Sequence, residues 1–92
     1  MRTDRSTATY TAHVSPTVGR FGPYRFFFYS NEGGEPPHIH VQRDRSLAKF
    51  WLTPVVLAHS TGFPSRELNV VRTIVAERRA DFLRAWNDHF NR

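Results

Sequence analysis

Pro36-Pro37-His38-Ile39-His40-Val41 is the stretch on which the reading of this chain turns. The two prolines stiffen the approach, since each ring locks φ. Ile39 and Val41 are β-branched and favour an extended backbone. A strand's period of two then puts both imidazoles on one face and both apolar side chains on the other. The stretch therefore predicts a strand over His38 to about Arg43, one face in a core and the other open to chemistry.

Working outward, Tyr24-Arg25-Phe26-Phe27-Phe28-Tyr29 is aromatic throughout and bounded by turn residues, which fits a preceding strand. Ser30-Asn31-Glu32-Gly33-Gly34-Glu35 is the loop that makes the two an antiparallel hairpin. Downstream, Asp44-Arg45 is a turn and Ser46 to Leu52 a third strand, with Leu47 facing away from Ala48 and Phe50. Pro54 marks an edge or bend, and residues 55–59 read as a fourth strand before the loop Ser60-Thr61-Gly62-Phe63-Pro64. Upstream, Pro16, Gly19, Gly22 and Pro23 break the pattern, so the folded unit is expected to begin between residues 16 and 20. Residues 1–15, with the alternating run Thr9 to Val14, read as an N-terminal arm or edge strand, and His13 as a solvated side chain.

Beyond Ser65, read as an N-cap with Glu67 in the first turn, no Pro or Gly occurs up to Phe90. At about 100° per residue, Leu68, Val71, Val75, Phe82, Trp86 and Phe90 share one face, opposite Asn69, Thr73, Glu77, Arg84 and Asp88. The expected fold is α+β: an antiparallel sheet of three to four strands against one long C-terminal amphipathic helix, with residues 16–92 a single domain. Arg79 falls within the apolar stripe, with Arg72 at its edge. A guanidinium there must snorkel, pair with an acid or point into a site where helix meets sheet.

The chain has 92 residues and no cysteine, which excludes disulfides and thiolate metal sites. No long apolar run suggests a membrane span and the polar start lacks a secretory signal's apolar stretch, so the expectation is a soluble, cytoplasmic protein. The formal charge is +5, and all thirteen basic residues but Lys49 are arginine. That balance favours an anionic partner, nucleic acid or an acidic protein, with Arg20, Arg25, Arg43, Arg45 and Arg72 as candidate anion-binding residues. A G+C-rich genome also trades lysine for arginine, which explains the ratio without explaining the net charge.

Three chemistries fit the histidine pair. His38 and His40 could act as general base and acid on a phosphodiester, with Arg79 stabilising transition-state charge, in metal-free RNA cleavage. The pair could instead ligate a metal in a hydrolase, with His59, His89 or Glu67 as further ligands; none has a defined spacing to the pair, so no metal or other cofactor is assigned. Third, both rings could be hydrogen-bonded turn elements of a plain protein-binding or structural module. Trp51 and Trp86 read as core residues, and no phosphate-binding glycine loop, nucleophile elbow or zinc-finger spacing is present.

From Pro16 to about Trp86 the chain resembles the small bacterial family catalogued as domain of unknown function 4160. The family's opening is similar to Pro16-Thr17-Val18-Gly19-Arg20-Phe21, and its Pro-Pro-His-aromatic-His-Val hallmark to Pro36–Val41, with Ile39 at the aromatic position. Its helical His-Arg resembles Arg78-Arg79, with Arg78 replacing the histidine, and its closing Trp matches Trp86. The resemblance implies a compact α+β protein encoded beside a second small family, domain of unknown function 2442, in pairs suspected to be toxin–antitoxin modules. The expectation is a small basic component of such a pair, acting through that partner, with RNA a further candidate target, and with His38, His40 and Arg79 lining one functional surface.

Overall fold

The computed structural model describes residues 17–90. Strands β1 (Thr17–Phe21), β2 (Tyr24–Phe27), β3 (His38–Arg43), β4 (Ser46–Leu52) and β5 (Val55–Thr61) precede helices α1 (Ser65–Glu77) and α2 (Arg79–Phe90). The strands form one antiparallel sheet in chain order. The α+β class is as expected, but the sheet has five strands instead of three to four, and two helices replace the one. The expected arm or edge strand over residues 1–15 lies outside the described residues. Among the described residues no helix is long and apolar enough to cross a membrane.

The additional strand is β1, where the glycines and prolines read as breakers are parts of a hairpin. Gly22-Pro23 is the two-residue link between Phe21 and its partner Tyr24. Gly22 has φ +61°, and positive φ at the first loop position of a hairpin is where glycine costs least. A register shift between Thr17 and Gly19 disturbs the alternation that would have revealed the strand.

One sheet face carries the core. Phe26 pairs with Val41, Ile39 with Phe50 and Val41 with Ala48, and all five are buried with Leu52. The helices cover this face with Val71 and Val75 from α1 and Phe82 and Trp86 from α2. Phe82 stacks on Phe26 at 5.2 Å, and Trp86 meets Phe28 edge-on at 5.4 Å.

The helix breaks at Arg78 (φ −104°, ψ 11°), whose guanidinium lies over the Phe21 ring at 4.4 Å. Helical bonding bridges the break, from Arg78 N–H to the Ile74 carbonyl and from Phe82 N–H to the Arg78 carbonyl. α1 lies against β4 and β5, whereas α2 reaches β3 and β4. A twisted sheet turns beneath its covering layer, and the bend lets both halves stay on it. At the start of α1, Pro64 occupies the N-cap position expected of Ser65, with extended backbone and no side-chain cap bond. Its carbonyl accepts the Leu68 N–H at 2.9 Å, and Ser65 is the first helical residue.

Candidate functional site

On β3 the period of two places His38 and His40 together on the face opposite Ile39 and Val41, as expected. The cross-strand partners of this face are Phe27 and Arg25 on β2, and Trp51, Lys49 and Leu47 on β4. The loop between β2 and β3 folds back through bonds from Glu32 N–H to the Tyr29 carbonyl and from Glu35 N–H to the Glu32 carbonyl. That fold carries the Glu32 carboxylate onto both histidines.

Glu32 Oε1 accepts the Tyr29 N–H at 2.9 Å. His40 Nε2 lies 3.0 Å from both carboxylate oxygens. His38 Nδ1 is 3.0 Å from the Pro36 carbonyl, which can only accept, so the ring carries a proton at Nδ1. His38 Nε2 is 2.9 Å from Glu32 Oε1 but off the hydrogen-bond line, and it is a buried nitrogen with no hydrogen-bond partner. Close approach and lost bond are compatible: Oε1 has about two acceptor sites, and the Tyr29 and His40 N–H groups occupy them.

The rings form an enclosed aromatic cluster. His38 and His40 are 5.1 Å apart and perpendicular; His38 meets Trp86 at 4.8 Å and Trp51 at 5.6 Å, while His40 stacks on Phe27 at 5.4 Å. His38 has no exposed surface and the His40 side chain retains 13 %. Burial pushes the His40 pKa below its ordinary value, prevailing over the Glu32 carboxylate, which acts to raise it. Burial would raise the Glu32 pKa, but the Tyr29 N–H and the contacts with His38 and His40 together hold it below the usual range. At neutral pH the site therefore pairs an ionised carboxylate with a neutral His40 ring.

The structure does not join Arg79 to the histidines through any described contact. Its Nε donates to the Leu52 carbonyl at 2.5 Å and its Nη2 to Thr53 Oγ1 at 3.0 Å, fastening α2 to the β4–β5 turn. Of the residues expected to share a solvent-facing surface, His38 is buried, His40 is largely buried, and Arg79 is bonded to the Leu52 carbonyl and the Thr53 hydroxyl. The anion-binding candidates are divided as well. Arg20 and Arg25 are cross-strand partners, and Arg25 donates to Thr17 Oγ1 at 2.7 Å and covers the Phe27 ring at 4.3 Å. Arg43 lies on the helix side, its Nε 3.0 Å from Glu67 Oε2, while Arg45 is exposed in the β3–β4 turn and Arg72 on α1.

Among the described residues, the group of three able to hold a metal ion is Glu32, His38 and His40, with ligand atoms all within 4.8 Å of one another. The further ligands weighed from sequence lie elsewhere. Glu67 binds Tyr24 and Arg43, His89 packs against Phe28, and His59 is exposed on β5. Glu32 was the residue sequence reasoning passed over. Its signal was an acid in the loop immediately before a His-x-His strand, which becomes specific only when the loop folds back.

Neither the curated proteins nor the solved structures contain a match to this chain. A family model, described as Domain of unknown function (DUF4160), matches residues 24–87, which include the aromatic strand, the Glu32 loop, the histidine pair, α1 and most of α2. The chain therefore belongs to the DUF4160 family.

Proposed function

We infer that this protein is the small basic member of a two-protein, toxin–antitoxin-like pair and that it works by binding its partner through the sheet face opposite Ile39 and Val41. One observation carries the reading: part of that face is an apolar groove where polar side chains are expected if water alone covered it. Pro36, Pro37, Trp51, Thr53, Pro54 and Val56 line a groove of about 260 Å³, and Val56 is 47 % exposed. Exposed apolar grooves beside an aromatic anchor are typical of protein contacts. The formal charge of +5 favours an acidic partner, and the small protein encoded nearby, of the domain of unknown function 2442 family, is the candidate the resemblance supplies.

The geometry lends less support to acid–base RNA cleavage. That chemistry needs both rings within reach of a phosphodiester, and His38 has no exposed surface while its Nδ1 proton is held by the Pro36 carbonyl. A plain binding module outside any gene pair remains the competing reading.

Co-expression with the neighbouring gene, followed by size-exclusion chromatography, tests the proposal. The expected result is a co-eluting complex whose affinity falls at least about tenfold with Val56→Asp, a charge placed in the apolar contact. No complex, or one indifferent to Val56→Asp, would overturn it. Growth arrest on expression of this chain alone, abolished by His40→Ala, would instead favour the ribonuclease.

A further inference from the structure

We propose that Glu32, His38 and His40 form a binding site for a divalent transition-metal ion, of which zinc is the best match, held by the Glu32 carboxylate and the Nε2 atoms of both histidines. The inference does not depend on the partner-binding reading.

The first ground is the unmatched nitrogen. His38 is fully buried, and the Pro36 carbonyl takes its Nδ1 proton, so in the neutral ring Nε2 presents a lone pair. That nitrogen is buried without a hydrogen-bond partner and lies 2.9 Å from the Glu32 Oε1 carboxylate oxygen. A buried ring nitrogen left without a partner beside a carboxylate oxygen is unfavourable, and a purely structural network would have satisfied every member. A cation between nitrogen and oxygen supplies the missing partner.

The second ground is the arrangement around it. Metal-bound histidines almost always donate their other ring N–H to a carbonyl or carboxylate, as His38 Nδ1 does to Pro36. In a tetrahedral zinc site with bonds of about 2.0–2.1 Å, neighbouring ligand atoms are roughly 3.3 Å apart. His38 Nε2 and His40 Nε2 lie 2.9 and 3.0 Å from Glu32 Oε1, so those two separations need to open by only a few tenths of an ångström, and all three ligand atoms lie within 4.8 Å of one another. On binding, His40 gives up its Nε2 proton and carries one at Nδ1, leaving Nε2 free to coordinate.

The donor set selects the ion. Two imidazoles and one carboxylate, with no thiolate in the chain, suit zinc, nickel or iron better than magnesium or calcium, which take oxygen ligands. The side chains of His40 and Glu32 retain 13 % and 14 % exposure, which leaves an approach from solvent for the ion and for a water as further ligand. Lys49, the β4 partner of His40, brings a positive charge beside it, and Glu35 pairs with that ammonium at 2.7 Å.

Titration of the purified full chain with zinc chloride, after treatment with a chelator, tests the site. One equivalent is expected to bind and, at about a hundredfold excess over Kd, to raise the melting temperature by several degrees. Glu32→Gln and His40→Gln should each weaken binding at least about tenfold, whereas His59→Ala, an exposed histidine elsewhere on the sheet, should not. Because either variant could fold poorly, the nitrogen resonances of the histidine rings in the unmodified chain provide a second measurement. Zinc should shift Nε2 of both His38 and His40. Absence of stoichiometric binding, binding unchanged in folded Glu32→Gln, or a His38 Nε2 signal that zinc leaves in place would each overturn the proposal. Partner binding retained without zinc would leave the functional reading standing by itself.

Discussion

Glu32 and His40 tie the stability of this protein to pH in one direction. His40 is depressed below its ordinary value of 6.5, so as pH falls past 6.5 the unfolded chain takes up a proton that the native ring refuses. Glu32 is held below its ordinary value of 4.5, so its contribution is present in full above 4.5 and lost as pH falls through the native value. Both groups make the metal-free protein less stable on acidification. Melting temperatures recorded downward from neutral pH should decline in two stages, the first attenuated by His40→Gln and the second by Glu32→Gln. A profile that stays flat through both ranges would contradict the assigned environments. Individually, the two histidines were legible in the sequence, and their shared face followed from β-branched neighbours. The acid between them was not, because nothing in residues 30–35 says which way a loop will fold.

At the level of elements, Arg79 is a fastening between α2 and the β4–β5 turn. Arg79→Ala removes a charge-assisted bond to the Leu52 carbonyl and should lower stability by about 1–3 kcal/mol, with Arg79→Lys recovering part of it. Arg84→Ala is the comparison: its nitrogen lies 3.6 Å from Asp81 with both side chains more than half exposed, and the change should stay within about 0.5 kcal/mol. Thermal denaturation distinguishes the two. The stripe from Val71 to Trp86 revealed the helical face but concealed the break at Arg78. Val75 and Phe82 are seven residues apart, about two turns, so the buried spacing is the same for one helix or for two joined by a slight bend. The strands were legible where alternation is clean, as in Ala48, Phe50 and Leu52 buried against exposed Leu47, and missed in β1, where a register shift disrupts it.

The described residues form a sheet with its Ile39 and Val41 face packed under the helices, and the chain carries a net positive charge. If the opposite face receives an acidic protein, affinity should fall several-fold when salt rises from about 50 to 200 mM, and isothermal titration with the neighbouring gene's product would measure it. Salt-independent affinity would place the contact in the apolar groove alone. A much steeper loss, seen with RNA instead of protein, would identify a phosphate backbone as the anion. The arginines do not favour one patch: Arg20 and Arg25 share a strand pair, Arg43 is paired with Glu67, and Arg72 lies on the outer side of α1.

Residue order alone established the α+β class, three of the strands nearly to the residue, the face on which the histidines lie and the stripe that meets the core. These follow from local rules, since alternation, turn residues and helical period act over a few positions. Family membership was likewise legible from the resemblance at Pro36–Val41 and Trp86, and the family model matches residues 24–87. Burial of His38, the meeting of Glu32 with both rings, the commitment of Arg79 to Leu52 and the division of the arginines were decided by tertiary packing. Each depends on segments distant in the chain or on the path of a loop, and the energy that chooses among such paths comes from the assembled core.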